Sequence, residues 1–169
     1  MKTWYLAQCR PREEERALQN LSNQGIEAFY PYAQVKKRLR RKLVTRVEAL
    51  FPGYIFVRVD LEVVSSSTIG STRGVRSLVR FGGGPSVVPS DLVYDLMSHC
   101  DSEALREQLS EVPLAGEKVL IEQGPFAGLE AIYLEADGEM RAILLLTLLQ
   151  KEARTSFGIE EFSRLVKNS

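Results

Sequence analysis

The first hundred residues alternate short apolar runs with amphipathic stretches, a pattern typical of an α/β domain. Residues 3–9 alternate as a strand does, and a helical pattern then begins at Pro11 and ends at Gly25. The apolar run at 54–59 is the strongest strand prediction in the chain. The order of the elements, β-α-β-β-α-β-α, predicts an α/β sandwich with a mostly antiparallel sheet over residues 1–100.

Three further stretches complete this predicted domain. Residues 26–35 are predicted as one strand, in which Pro31 marks an edge or a bulge. A strand over 75–81 ends at three glycines. The last helix starts with Ser90 as its N-cap and places three apolar residues on one face, namely Leu92, Val93 and Leu96.

The pattern changes after residue 100. Residues 101–112 are polar and acidic and are interpreted as a linker. Residues 113–169 contain short apolar runs separated by glycine turns, and Asp137-Gly138 is a two-residue hairpin signal, so a small β-barrel is predicted there. Residues 141–153 conflict with this prediction, because "RAILLLTLLQKEA" consists mainly of helix formers.

The formal net charge of zero conceals a division between the two halves of the chain. Residues 1–100 hold 15 Lys+Arg and 9 Asp+Glu, while residues 101–169 hold 7 and 13, so the halves carry +6 and −6. Such asymmetry favours a part that faces nucleic acid and an acidic part that masks it or binds another partner. A chance distribution is the alternative interpretation.

Several classes of function have no support in the composition. No apolar run approaches the roughly 20 residues of a membrane span, and the N-terminus lacks a signal-peptide pattern, so we expect a cytoplasmic protein with no membrane partner. Cys9 and Cys100 lack CxxC spacing and suit a reducing compartment. Hydrolase, nucleotide-binding and metalloenzyme motifs are absent, and the lone His99 is expected to be solvated. We therefore expect no catalytic residue, metal or cofactor.

Two stretches have the composition of binding surfaces. Leu50, Phe51 and Pro52 lead into a strand that is apolar on both faces and needs two covers. One cover is the domain's own helices, and the other is a partner or the second domain. The turn at 67–73 collects hydroxyls and a guanidinium suited to phosphate or base edges. Ordinary core packing and turn capping are the alternatives.

These residues resemble a known family. The segments "WYLAQC", "RALQNL", "LFPGYIFVRV" and "TRGVRSLVRFGG" resemble, in this order, the N-terminal domain of NusG-type transcription elongation factors. "GEKVLIEQGPFAGLEAIY" is similar to the KOW motif of their C-terminal domain. "DGEMRAILLLTLLQKE" resembles the specialised, operon-specific RfaH branch, because ordinary NusG-type KOW domains carry β-branched strand sequence at this position.

The resemblance implies a factor that binds RNA polymerase and suppresses pausing and termination. A hydrophobic depression would grip the clamp helices of the β′ subunit, and the matching residues are Phe51, Pro52, Tyr54, Phe56, Val93 and Leu96. A polar motif would contact the gate loop of the β subunit. The matching positions depart from the His-Thr-Thr type of the RfaH branch and are Ser65, Ser66 and Ser67.

The resemblance also implies loading at a paused elongation complex through the non-template DNA strand. The matching residues are Arg10, Arg16, Thr72 and Arg73, while Glu13 and Asn20 on the same surface suit DNA less well. We expect a monomer that needs no cofactor, and the resemblance implies that it couples transcription to translation through a 30S ribosomal protein. The resemblance, and not the sequence itself, suggests that it does not bind Rho.

In the RfaH branch the C-terminal domain has two folds. It is an α-helical hairpin over the polymerase-binding surface when autoinhibited and a KOW β-barrel when released. An ion pair between Glu48 and Arg141 is expected at the edge of the interface, where a surface salt bridge contributes about 0–1 kcal/mol. The other residues expected between the domains are Ile143, Leu144, Leu145, Leu146 and Leu149, with Leu148 beside them.

Two other interpretations stay open. One is a general NusG-type factor whose C-terminal domain is always a barrel, and the other is a KOW-bearing RNA-binding protein of ribosome assembly. The basic run Lys36–Lys42 is predicted at a hairpin tip, where a solvated loop and a contact with upstream DNA are equally open.

Overall fold

The computed structural model of the chain describes residues 1–99 and 128–167, with the side chains of the second stretch described up to Ala153. The predicted linker at 101–112 and the part of the predicted β-barrel that precedes residue 128 lie outside these residues. Within the described ranges, no helix is long and apolar enough to cross a membrane.

Strands dominate the N-terminal region, and helices form the described part of the C-terminal region. In chain order the elements are β1 (Thr3–Cys9), α1 (Glu14–Asn23), β2 (Glu27–Phe29), β3 (Tyr32–Leu39), β4 (Lys42–Ala49), β5 (Tyr54–Val59), α2 (Ser66–Gly70), β6 (Val75–Leu78), β7 (Arg80–Phe81), β8 (Gly84–Pro85), β9 (Val87–Val88), α3 (Ser90–Ser98), α4 (Leu129–Leu134) and α5 (Gly138–Lys167).

A five-stranded antiparallel sheet is the centre of the N-terminal region. Its strand order is β2-β5-β1-β6, and β9 also pairs with β1. The strands predicted at 3–9 and 54–59 are confirmed as β1 and β5. β5 is buried on both faces, because Ile55 packs on the α1 side of the sheet and Phe56 on the α3 side.

The two larger helices of this region lie on opposite faces of the sheet. On one face α1 buries Ala17 and Leu21, and on the other α3 buries Leu92, Val93 and Leu96. Gly25, with φ of +74°, follows the end of α1, as the sequence predicted. The observed α/β arrangement therefore agrees with the predicted sandwich of mostly antiparallel strands.

The stretch 26–35 is two strands, so the prediction of a single strand was wrong. β2 joins the central sheet, whereas β3 pairs with β4 in a separate hairpin. The chain breaks the pairing at Tyr30-Pro31, where proline has no N–H to donate to a ladder. The basic run of Lys36–Lys42 lies at the tip of this hairpin, as predicted.

The described C-terminal residues are helical, and the prediction of a hairpin turn at Asp137-Gly138 was wrong for this structure. Asp137 lies instead at the start of α5, where its carboxylate accepts a hydrogen bond from the Glu139 N–H at 3.0 Å. Aspartate is a preferred N-cap because it satisfies an unpaired N–H of the first turn. The Leu- and Ala-rich sequence that follows then continues as helix, in line with its propensity.

Candidate interaction surfaces

The apolar residues expected to bind polymerase lie together on the α3 side of the sheet. Phe51, Phe56, Val93 and Leu96 are fully buried in one cluster, and Tyr54 packs against it. Pro52 lies at the margin and stays exposed. The cluster is completed by four residues of α4 and α5, namely Leu129, Ile132, Leu145 and Leu149. This surface is therefore covered by the chain's own C-terminal helices.

The leucine run of α5 does not contribute evenly to this cover. Leu145 and Leu149 are buried, while Leu144, Leu146 and Leu148 are partly buried against the cluster. Ile143 was also expected between the domains, but its side chain is 53% exposed. Successive helical residues are rotated by about 100°, so consecutive apolar residues cannot all face one neighbour.

One buried arginine joins α5 to the segment before β5. The Arg141 side chain is 0% exposed, and its Nε donates to Leu50 O at 2.8 Å. Its Nη2 donates to Glu48 Oε1 at 2.6 Å and to Ala49 O at 3.1 Å. Its Nη1 donates to Glu135 O at 2.8 Å. The guanidinium therefore binds both the N-terminal region and the loop that precedes its own helix.

The Glu48–Arg141 contact differs from the surface ion pair that the sequence suggested. Arg141 is desolvated and has backbone acceptors, whereas Glu48 is partly exposed and also binds Lys37 Nζ at 2.8 Å. Burial of the Glu48 carboxyl opposes its ionisation, but hydrogen bonds from Lys37 and Arg141 outweigh this effect and hold its pKa below the usual value. Removing the arginine would leave buried carbonyls unpaired, which costs more than breaking a surface pair.

A second contact between the N- and C-terminal regions, not predicted from the sequence, joins the end of α3 to α4. His99 was expected to be solvated, but its ring packs on that of Tyr133 with centroids 4.0 Å apart. Burial lowers the pKa of His99 and raises that of Asp95 and of Tyr133. Among the described residues, His99 Nε2 and Asp95 Oδ2 are buried without a hydrogen-bond partner. The spacing of Leu92, Leu96 and His99 was a usable signal, because residues four and seven apart share a helical face.

Two of the four residues expected to bind DNA, Thr72 and Arg73, line a polar cleft beside α1. The cleft has a volume of about 380 Å³ and is lined by Asn20, Asn23, Gln24, Thr68, Ser71, Thr72 and Arg73. Arg73 and Arg10 are exposed at this side of the domain. Arg16 is exposed too, but it pairs with Glu13 at 2.8 Å. This side therefore offers cationic groups to solvent.

Hydrogen bonds hold the polar lining of the cleft in place. Gln24 Nε2 donates to Thr72 Oγ1 at 2.9 Å, and that hydroxyl donates to Thr68 O at 3.0 Å. Asn20 Nδ2 donates to Arg73 O at 3.3 Å. Thr72 is buried and has both its donor and an acceptor occupied, so it supports the cleft more than it offers a free hydroxyl.

A glycine fixes the distance between α1 and the cleft loop. Gly74 has a φ of +95°, and a Cβ there would lie 2.6 Å from Ala17 N and 2.8 Å from Glu13 O. Its carbonyl accepts a hydrogen bond from the Arg10 N–H at 2.9 Å. The lack of a side chain at Gly74 therefore lets the loop that carries Arg73 lie against α1 while it hydrogen-bonds to Arg10.

The three serines expected at the gate loop begin α2. Ser65 caps the helix by accepting a hydrogen bond from the Thr68 N–H at 3.2 Å, and its hydroxyl lies 3.0 Å from that of Ser67. Ser65 and Ser67 are exposed, while Ser66 is partly buried. Their hydroxyls thus reach solvent but are also used in local capping.

No cluster of three or more metal-ligating side chains occurs among the described residues. The residues expected to bind partners form two separate surfaces, which are next to different helices. The cleft belongs to α1 and α2, whose buried residues lie on one face of the sheet, and the apolar surface belongs to α3 on the other.

Comparisons with known proteins identify the family. The profile described as "Transcription termination factor nusG" matches residues 2–97, more than half of the chain. The chain is 29% identical over 161 residues to "Transcription termination/antitermination protein NusG" of Helicobacter pylori (strain J99), covering 86% of this chain and 88% of that protein. It is 22% identical over 148 residues to the protein of the same name of Rickettsia felis, covering 82% and 77%.

A solved structure titled "Domain interaction in Thermotoga maritima NusG" is also similar, with 23% identity and a TM-score of 0.41 over 59% of this chain and 57% of the other. The profile match spans the central sheet, α1, α2 and most of α3, and so includes both surfaces. The chain belongs to the NusG family of transcription termination factors.

Proposed function

We propose that this protein is an RfaH-type elongation and antitermination factor, which acts on particular operons. It binds RNA polymerase through the apolar surface on the α3 side, where the clamp helices of the β′ subunit replace α4 and α5. The observation that carries the proposal is the cover itself, since Leu145 and Leu149 complete the cluster around Phe56. A factor whose polymerase-binding surface is covered by its own chain is inactive until the cover leaves.

Release of the cover is the regulated step in this proposal. An apolar surface of this kind does not persist in water, so it needs either the C-terminal helices or a partner. Once released, the C-terminal domain refolds into a KOW barrel and recruits a 30S ribosomal protein, as in the RfaH branch. Two such arrangements need to differ by only a few kcal/mol for a partner to exchange them.

The polar cleft supplies the second contact, with the non-template DNA strand of a paused complex. Arg10 and Arg73 are exposed for phosphate contacts, and the amide side chains of Asn20 and Gln24 line the cleft beside them. The serines at the start of α2 contact the gate loop of the β subunit. Together these contacts would bridge the two sides of the DNA channel and suppress pausing.

The deciding experiment compares the amide NMR spectrum and polymerase capture of the full-length chain with those of Glu48→Ala. An RfaH-type factor should shift C-terminal resonances from helical to strand positions in the variant and should bind polymerase more strongly. Tyr54→Ala is the matched control, because it should weaken polymerase capture. A wholly helical spectrum for Glu48→Ala would exclude this gate.

The second candidate is a general NusG-type factor with a permanent barrel. The observation that favours it is the name shared by both relatives, which are each called a termination/antitermination protein NusG. Such a protein would show strand resonances for its C-terminal domain before any substitution, and its polymerase binding would not respond to Glu48→Ala.

A further inference from the structure

The first residue of α5 lies directly on a proline ring of the N-terminal region. Gly138 is buried, and a Cβ at this position would lie 2.8 Å from Pro52 Cγ and 3.1 Å from Pro52 Cδ. The same Cβ would lie 3.3 Å from Arg141 Nη2, the nitrogen that donates to Glu48 Oε1 at 2.6 Å. A side chain at this position would therefore push against a rigid ring and against the buried guanidinium together.

The backbone of Gly138 gives no other reason for a glycine. Gly138 is not among the glycines with a positive φ, so an L-residue could adopt its conformation. Alanine is preferred to glycine within helices. Helix propensity alone thus predicts that Gly138→Ala stabilises α5, whereas the contact with Pro52 predicts that it displaces α5. The two effects have opposite signs, which makes the position diagnostic.

We propose that Gly138 is a positioning residue: its lack of a side chain lets α5 close onto Pro52, a steric requirement for closure in addition to the Glu48–Arg141 ion pair. The ion pair depends on charge and hydrogen bonding, whereas the requirement for glycine depends on space, because a Cβ here would meet the Pro52 ring first and then Arg141 Nη2. The consequence for polymerase access rests on the proposed function, because Pro52 belongs to the surface assigned to the clamp helices. The contact itself does not rest on it.

The test uses four full-length variants: Gly138→Ala, Pro52→Ala, the double variant, and Gly83→Ala. Pro52→Ala removes the Cγ and Cδ atoms that lie nearest to Gly138, so it should make room for the added methyl group. Gly83 has no positive φ, and no atom lies within 4 Å of the place that its Cβ would take, so Gly83→Ala adds the same methyl group to open space. The readout is the amide NMR spectrum of residues 129–153 together with hydrogen exchange of the α5 amides.

We expect Gly138→Ala to lose the resonances and the exchange protection of the closed arrangement, and Gly83→Ala and Pro52→Ala to keep them. The double variant should recover them, which would also show that the first variant is not simply unfolded. The proposal is overturned if Gly138→Ala keeps or increases the protection of α5, or if Pro52→Ala fails to restore it.

Polymerase capture by Gly138→Ala separates this inference from the proposed function. Release of α5 together with a several-fold gain in polymerase capture supports both the Gly138 contact and the proposed function. Release without any gain in capture supports the Gly138 contact and contradicts the assignment of the covered surface to polymerase.

Discussion

The two candidate surfaces on either side of the central sheet differ in their surroundings: one lies against helices of the same chain, and the other faces solvent. On the α3 side, Phe51 and Phe56 are buried beneath α4 and α5 of the same chain. On the α1 side, Arg10 and Arg73 face solvent, and the lining of the cleft includes no described C-terminal residue. An apolar surface needs a cover in water, whereas a charged cleft is stable when hydrated. Among the described residues, one surface is therefore covered by helices of the same chain and the other is not.

The largest effect on stability is expected at Gly74, where the cleft loop packs against α1. Gly74→Ala should lower the free energy of unfolding by about 4 kcal/mol, because it combines a left-handed φ with backbone atoms within 3 Å of the new Cβ. Urea unfolding followed by the fluorescence of Trp4, the only tryptophan, measures it. Gly25→Ala is the matched control, since it has a φ of +74° but open space, and should lose only about 1–2 kcal/mol. Equal losses would show that the contact with α1 does not constrain the cleft.

The next effect concerns the two helices, α4 and α5, that cover the apolar surface. Arg141→Ala should destabilise the closed arrangement by about 3 kcal/mol, because it leaves the carbonyls of Leu50 and Ala49 without their donor in a buried site. Hydrogen exchange of the α5 amides reports the loss. Glu48→Gln should cost roughly 1 kcal/mol, since Arg141 keeps its carbonyl acceptors and Glu48 is partly exposed. If the two variants cost the same, the ion pair rather than the carbonyls holds the cover.

A smaller effect is expected at the polar cleft on the α1 side of the sheet. Arg73→Ala should weaken binding of a single-stranded oligonucleotide and reduce the slope of log K against log salt by about one, the change expected for one lost phosphate contact. The exchange protection of α5 should not change. Lys2→Ala removes the same charge at the opposite end of β1 and should leave the salt dependence unaltered. A change in the protection of α5 would contradict the independence of the two surfaces.

The smallest effect is a pH dependence of the cover alone. Burial lowers the pKa of His99 below its ordinary 6.5 in the closed arrangement, so the open state binds more protons just below that pH. The closed arrangement should therefore weaken as the pH falls from about 7.5 to about 5.5, and His99→Gln should remove this dependence. Asp95 acts in the opposite sense at more acidic pH, since burial raises the pKa of its carboxyl from the ordinary 3.8. NMR signals of the Tyr133 ring are a suitable probe, and a flat profile would contradict the prediction.

Much of the N-terminal fold follows from periodicity in the sequence. β1 and β5 occupy the residues predicted for them, because β1 has the alternation of a strand and β5 is a short, mainly apolar run. The split at Pro31 was missed because a run of apolar residues does not reveal that its two halves join different sheets. Local composition describes what a residue prefers, and only the tertiary partner decides which sheet it enters.

The surfaces were less predictable than the strands. Composition suggested that the stretch around Phe51 and Phe56 needs a second cover, but the assignment of that cover to polymerase came from the family resemblance, since buried aromatic residues look the same in any core. His99 and Gly138 take part in contacts between the N- and C-terminal regions, and each contacts a residue more than thirty positions away in sequence, such as Tyr133 for His99. A close approach between a glycine and a proline ring leaves no periodic trace. The exposure of Ile143 follows from helix geometry once the helix is known.

The dipeptide Asp137-Gly138 has a consequence for how this region can change during evolution. As a helix start it supplies a carboxylate cap and a side-chain-free contact, and the same two residues are among the most favourable for the turn of a two-residue β-hairpin. If both folds are used, a substitution here must be compatible with the helix start and with the hairpin turn, so natural selection would allow few replacements. Tolerance to mutation at these two positions, compared with that at the exposed Ile143, would therefore reveal how many folds have constrained this sequence.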